Sequence, residues 1–255
     1  FSPEKLEGCR NFVNKIWNAS RFVIMNCEGK KIKTDIGDVK LNSADKWILS
    51  RLNTVVRDVT LNMEKYEIGL ACAALQDFVW SDFCDWYIEL CKPVLYGEDE
   101  EKKNDSASAL SFVLGQTLKL LHPFIPFVTE EIYSYLPTAK GKLIRADFPK
   151  YEPKFAFRKD RDAIECIKEI VKAIRNIKSE TGAAPSAKVD LYVVTEKKKL
   201  VENGKIYLNR LANVKDVKFV SSKDEIGEKT VSKILAGFEL YVPLGELVDY
   251  EKELA

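Results

Sequence analysis

The sequence lacks the short motifs that usually mark chemistry on a phosphate or an acyl group. It has no glycine-rich phosphate loop, no G-x-S-x-G and no spacing typical of metal ligands. Its six cysteines include no C-x-x-C pair and no cluster with histidine, which argues against a structural zinc site. We therefore assign no catalytic and no metal-binding residue, and the cysteines are typical of reduced thiols in a cytoplasmic protein.

An excess of charge of one sign is also missing. Lys and Arg number 40 and Asp and Glu 39, a formal net charge of +1, which excludes a polycation that coats DNA or anionic lipid by bulk charge. No apolar run reaches the roughly 18 residues that a membrane-spanning helix needs. A composition of 46% hydrophobic and 31% charged residues over 255 positions predicts one or two folded units rather than disorder.

Titratable side chains are present but poorly placed for catalysis. The single histidine, His122, stands in the apolar turn LHPFIPF and is predicted to pack at a helix end, since its alternative role as a general base has no partner in sequence. The carboxylate pairs Asp82/Asp85 and Glu130/Glu131 lie on amphipathic helices and are predicted to be solvated or ion-paired. The sequence thus favours a binding function.

Hydrophobic periodicity divides the chain into two predicted domains, 1–150 and 151–255. The first reads as four to five antiparallel helices, a bundle. The second is predicted to be a small α+β domain, so the fold class is mainly α. Predicted helices begin at Ser2-Pro3-Glu4, at Asn42-Ser43 and after Tyr66-Glu67, and further helices are predicted over about 106–121, 127–136, 158–180 and 197–211. The run 97–105 is predicted to be a solvated loop. The predicted strands are 189–194, 217–220 and 238–244, and a last helix is predicted to begin near Gly245.

The first helix carries an unusual polar surface. At about 100° per residue, its predicted buried stripe consists of Leu6, Cys9, Val13, Ile16, Ser20 and Val23. The adjacent sector holds two guanidiniums, two amides and an indole, which we call the α1 strip: Arg10, Asn14, Trp17, Asn18 and Arg21. Arginine pairs with phosphate or a base edge, asparagine matches a base edge, and an aromatic ring can stack on an unpaired base. Alternatively, Trp17 is core and the polar groups tie the helix to its neighbours.

A second group of cations lies on the helix predicted at 158–180. Arg161, Lys168, Lys172, Arg175 and Lys178 are predicted to gather on its outer side. Interspersed glutamates dilute their charge, and the simpler interpretation is a solvated face.

Several strings taken together resemble one protein family, the anticodon-binding region of valyl-tRNA synthetases, which are class I aminoacyl-tRNA synthetases. GCRNFVNKIWNASRFVIMN at 8–26, FVWSDFCDWYIELCKPVLY at 78–96 and LHPFIPFVTEEIY at 121–133 carry the resemblance, and FELYVPLGELVDYEKELA at 238–255 continues it to the end of the chain. Isoleucyl, leucyl and methionyl enzymes share the architecture but usually lack the Cys-Asp-Trp-Tyr run.

The resemblance implies the function. Enzymes of this family join valine to its tRNA with ATP and magnesium, and they carry a catalytic domain, an editing domain and a C-terminal coiled-coil arm. None of the catalytic strings occurs here, and the chain begins with Phe1, so we interpret it as the anticodon-binding part of a longer ligase, with no cofactor of its own. The expected partner is the tRNA(Val) anticodon loop. We expect no DNA, no membrane, a monomer and a cytoplasmic location.

Carried over by position, the resemblance also implies the tRNA-binding residues. Arg10 and Arg21 would bind phosphates or base edges, Asn14 and Asn18 would hydrogen-bond to bases, and Phe22 would stack against a splayed base. Lys15 lies outside the α1 strip and is a weaker phosphate ligand. A protein-interaction scaffold and a self-contained enzyme remain the alternatives from other classes.

Overall fold

A computed structural model describes residues 2–247, apart from the side chain of Lys5. The chain is mainly helical, with one four-stranded mixed sheet. It forms two compact units, the first ending at Arg161 and the second beginning at Asp162. The helices are α1 (Pro3–Cys27), α2 (Ser43–Glu64), α3 (Ile68–Asp77), α4 (Ile88–Leu95), α5 (Glu100–Leu121), α6 (Pro126–Ser134), α7 (Arg158–Glu180) and α8 (Lys198–Ala212); the strands are β1 (Val189–Val194), β2 (Val214–Phe219), β3 (Thr230–Leu235) and β4 (Phe238–Pro243).

Helix α1 begins at the predicted signal. Ser2 is the extended N-cap, proline opens the first turn, and Gly29 follows the helix with a φ of 70° that favours glycine. The predicted buried stripe is right only for the later turns. Ile16, Ser20 and Val23 are buried, whereas Leu6 is 58% exposed, and Cys9 lines an open cleft instead of a closed core.

Helix α2 starts with a complete capping box. The Asn42 side chain accepts from the backbone N–H of Asp45, and the Asp45 carboxylate accepts from the backbone N–H of Asn42 at 3.0 Å. Asp45 is fully buried and also accepts the Tyr87 hydroxyl at 2.8 Å. This cap therefore ties the start of α2 to the segment between α3 and α4.

That segment, Phe78–Tyr87, is π-helical, so the predicted third helix is continuous but not α-helical throughout. Its buried positions come in the pairs 78/79, 82/83 and 87/88, a spacing of four or five residues. The wider turn of i→i+5 hydrogen bonding explains that spacing. An α-helical spacing would place both Ile68 and Trp86 on the inner face of the predicted helix, but Ile68 is 45% exposed and Trp86 is only half-buried.

The prediction of a loop over 97–105 is wrong in its second half. Helix α5 begins at Glu100, with the Asp99 side chain accepting from the Lys102 backbone N–H at 3.1 Å. Acidic residues in a first turn interact favourably with the helix dipole, so a charged run that resembles a loop is here an N-terminal signal. Asp105, predicted to be solvated, is buried and paired with Lys33 at 2.5 Å.

The second unit contains a sheet of order β2-β1-β4-β3. β1 and β2 are parallel and joined through α8, while β4 pairs antiparallel with both β1 and β3. The sequence missed β3, an edge strand that is only partly buried, with Ile234 78% exposed. Close packing of α8 on α7 requires glycine at 204, because a Cβ there would overlap the Ile167 side chain. The predicted last helix lies largely outside the described residues; a short 3-10 turn covers Leu244–Glu246.

The cations of α7 do not all face outward. Lys168 and Lys178 are buried, a correction to the predicted outer side. The Lys178 ammonium donates to the carbonyls of Ala187 at 2.6 Å and Ala212 at 2.7 Å, and Arg175 donates to the Leu211 carbonyl at 2.9 Å. Burial, and secondarily the charge of Arg175, lowers the pKa of Lys178. The two cations thus satisfy the last carbonyls of α8.

The buried capping box predicts a pH-dependent stability. Burial raises the pKa of Asp45 from 3.8 to about 7, against the opposing effect of its hydrogen bonds. The folded state therefore holds a proton that the unfolded state releases above about pH 4, so the free energy of unfolding should fall as the pH rises from 4 to 7. Because a single proton is involved, the equilibrium constant for folding can fall by at most about tenfold per pH unit. Urea unfolding of wild type and Asp45→Asn from pH 4 to 8 measures this, and equal pH slopes would contradict it.

Replacement of Lys178 tests its role at the end of α8. Lys178→Met leaves the carbonyls of Ala187 and Ala212 without this donor and should destabilise the second unit by about 2 kcal/mol. Lys172→Met is the matched control, since Lys172 is exposed and pairs only with Glu169. All four tryptophans precede the second unit, so amide hydrogen exchange in β1 and α8 is the suitable measurement. Equal protection in both variants would refute the role.

Candidate nucleic-acid interface

The α1 strip lies on the surface of the first unit. Arg10, Asn14, Asn18 and Arg21 are exposed, and Trp17 is 40% exposed. Burial of Ile16, Ser20 and Val23 on the adjacent face of the helix fixes this orientation. The alternative in which Trp17 belongs to the core is therefore wrong.

Most polar groups of the strip have no protein partner. Across residues 2–247, the side chains of Asn14, Asn18 and Arg21 make no hydrogen bond or ion pair with other described groups. Arg10 lies 3.6 Å from Glu7, with both side chains largely exposed, a pair worth little in water. The guanidiniums and amides are thus available to a ligand.

Lys15 is held differently from the strip. Its ammonium lies 2.6 Å from Asp85 Oδ1 and 4.0 Å from the centroid of the Trp80 ring. Both partners lie in the π-helical segment, so Lys15 ties α1 to it. The Asp85 carboxylate therefore already compensates the charge of Lys15.

Phe22 lies between the strip and the buried face. The side chain is half-buried, and the Lys92 ammonium stands 5.7 Å from its ring centroid. Lys92 itself pairs with Glu89. Part of the ring surface that could stack on a base is therefore already covered.

The residues considered for catalysis have structural partners. His122 caps the end of α5, and its Nδ1 lies 2.9 Å from Thr129 Oγ1. Asp82 is buried against Arg51 at 2.8 Å, and the Glu130 carboxylate accepts from the backbone N–H of Leu143 at 3.0 Å. In the part of the chain that is described, no three His, Cys, Asp or Glu side chains are arranged to hold a metal ion. Nor does any described helix have the length and apolar content to cross a bilayer.

The sequence analysis missed Tyr135. It follows α6 and is 60% exposed, and it lines a cleft together with Trp17 and Arg21 of the strip. Its position next to α1 depends on how α6 packs beside that helix, which periodicity does not reveal. A tyrosine at the end of a helix was the only signal available.

Arginine, amide and aromatic side chains on one exposed face are groups that can stack on or hydrogen-bond to unpaired RNA bases. Comparison with known proteins agrees: the chain belongs to the family of anticodon-binding domains of tRNA ligases, whose model matches residues 45–193. It is similar to the valine–tRNA ligases of Clostridium acetobutylicum (46% identical over 257 residues), Clostridium perfringens (44% over 256) and Listeria monocytogenes (41% over 259). These matches cover 100% of this chain and 29% of each relative. The strip precedes the family match but lies within the similarity to these ligases.

If the α1 strip serves to bind a ligand, its residues should contribute little to the free energy of unfolding. Arg21→Ala and Asn18→Ala should each change the free energy of unfolding by less than about 0.5 kcal/mol, since both side chains are exposed and unpartnered. Asp82→Asn, which weakens a buried ion pair, should cost about 1–2 kcal/mol. Urea unfolding followed by tryptophan fluorescence reports on the first unit, which contains all four tryptophans. A loss above 1 kcal/mol in Arg21→Ala would assign that residue a structural role.

Proposed function

We propose that this chain recognises the anticodon loop of tRNA(Val) as part of a valine–tRNA ligase, an enzyme that attaches valine to its tRNA with ATP and magnesium. One observation carries the proposal: α1 presents two arginines and two asparagines outward, and among the described residues only Arg10 of these four has a side-chain partner, Glu7. The similarity of the whole chain to valine–tRNA ligases supports the identity of the RNA. We assign no residue of this chain to ATP or magnesium.

Each side chain of the strip has a distinct role in the proposal. Arg10 and Arg21 neutralise loop phosphates or pair with a base edge, because a guanidinium can donate two parallel hydrogen bonds. Asn14 and Asn18 read unpaired bases, since an amide donates and accepts at once. Phe22 packs against a splayed base with its uncovered edge, and Lys15 adds a weaker phosphate contact.

The mechanism is selection and positioning. Unpaired anticodon bases expose edges that a duplex would hide, so contacts to them favour the matching tRNA. The same contacts hold the tRNA in register for chemistry elsewhere in a longer enzyme. Such binding energy speeds the chemical step only where it is stronger in the transition state than in the ground state.

Domain organisation follows the same proposal. We assign residues 1–150 to an antiparallel helix bundle that reads the anticodon, and 151–255 to a small α+β domain that leads to a coiled-coil arm. Short connections between successive helices support the antiparallel arrangement. Six free cysteines are compatible with a cytoplasmic location. We further propose a monomer that binds neither DNA nor membranes.

Binding of an anticodon stem-loop tests the proposal. Arg21→Ala should raise the dissociation constant for the stem-loop of tRNA(Val) about tenfold, the scale of one charge-assisted contact. Arg57→Ala is the matched control, because Arg57 is an exposed arginine of α2 that pairs with Asp58. Fluorescence anisotropy with a labelled stem-loop measures both variants.

The salt dependence and the choice of RNA complete the experiment. Each phosphate contact should contribute about 0.7 to the slope of log affinity against log salt for a single strand. Arg21→Ala should reduce that slope, and a stem-loop with a non-cognate anticodon should bind more weakly. Equal affinity for cognate and non-cognate loops, with no effect of Arg21→Ala, would overturn the proposed function.

A further inference from the structure

A cleft of about 400 Å³ opens at the side of the α1 strip. It is lined by five residues of α1 and one residue that follows α6: Trp17, Ser20, Arg21, Ile24, Met25 and Tyr135. Only Trp17 and Arg21 of these six belong to the strip, and neither Trp17 nor Tyr135 has a role in the proposal above. The cleft is therefore an unassigned feature next to the proposed interface.

Three large, mainly apolar side chains around the cleft are exposed to solvent. Trp17 is 40% exposed, Met25 62% and Tyr135 60%. Scattered exposed hydrophobic residues are ordinary on a protein surface, but three of them around one concavity mark a binding site. Aromatic side chains and methionine are also the groups that pack well against a flat ring.

The polar groups of the cleft limit what it can bind. The Ser20 hydroxyl donates to the Ile16 carbonyl at 2.7 Å, so the buried floor has no free donor. The Tyr135 hydroxyl donates to Glu131 at 3.1 Å, which restrains the ring one helical turn away. Arg21 has no partner among the described groups and supplies the only charge in the lining. A flat, neutral ring attached to an anion fits this combination.

From these observations we infer that the cleft holds one unpaired base of the bound RNA, stacked by Trp17 and Tyr135, with Arg21 contacting its phosphate. The inference rests on the proposed function and adds a stacking site to it. An amphipathic protein helix fits less well, because it would need a longer groove with apolar anchors three and four residues apart. The partly covered ring of Phe22 then becomes the lesser stacking surface of α1.

The inference is tested with an anticodon stem-loop carrying 2-aminopurine at one loop position at a time. One position should lose fluorescence on binding, because the base stacks in the cleft. Tyr135→Ala and Trp17→Ala should restore that fluorescence and raise the dissociation constant about tenfold or more. Tyr135→Phe keeps the ring and should retain both quenching and affinity.

Controls separate stacking from damage to the fold. Phe127→Ala removes an aromatic side chain of α6, the helix that Tyr135 follows. Because Phe127 is 91% exposed and does not line the cleft, this variant should change neither the fluorescence nor the affinity. A second measurement replaces the base at the quenched position with an abasic residue. That change should weaken binding to wild type but not add to the loss in Tyr135→Ala, because both remove the same contact. This comparison remains decisive even if Trp17→Ala fails to fold.

The outcomes distinguish the two proposals. If Arg21→Ala weakens binding while Tyr135→Ala leaves every loop position and the affinity unchanged, the stacking site is wrong and the proposed function stands. If the stem-loop binds without dependence on Arg21 or on the anticodon, the proposed function fails, and this inference fails with it. Additive losses for the abasic loop and Tyr135→Ala would also overturn the stacking contact.

Discussion

The burial of one face of α1 decides what the adjacent face can do. Ile16 and Val23 are completely buried, and the Ser20 hydroxyl is satisfied by its own helix, so α1 has one favoured rotation about its axis. Lys15, through Asp85 and Trp80, fixes it against the π-helical segment. The polar side chains therefore point outward, and a binding surface on a rigid helix loses less conformational entropy than one on a loop.

The distribution of ion pairs separates structure from recognition. In the first unit, Arg51 and Lys33 are paired with the buried carboxylates Asp82 and Asp105 and hold elements together. Arg21, less than two turns of helix from Lys15, has no such partner among the described side chains. An arginine left unpaired beside exposed aromatic rings has its donors free for an anion, and this contrast supports RNA as the ligand.

In the second unit, Lys178 and Arg175 have protein partners, unlike Arg21. Lys178 and Arg175 are directed to backbone carbonyls, where they stabilise the end of α8. These two cations of α7 thus contribute to packing at the end of α8. Composition alone would have assigned these residues and Arg21 to the same class, since all are Lys or Arg on amphipathic helices.

Local signals in the sequence determined most element boundaries of this protein. The N-cap and proline before α1, the capping residue Asn42 and the β-branched run at 189–194 each act within a few residues, so they are readable without the fold. The outward position of the α1 strip also followed from helical periodicity. Tertiary structure decided the rest. The π-helical spacing became visible only from packing against α2, and β3 was found only from its pairing at the edge of the sheet. The packing of α6 beside α1 alone brought Tyr135 to Trp17. Such contacts join residues far apart in the chain, so local sequence does not reveal them.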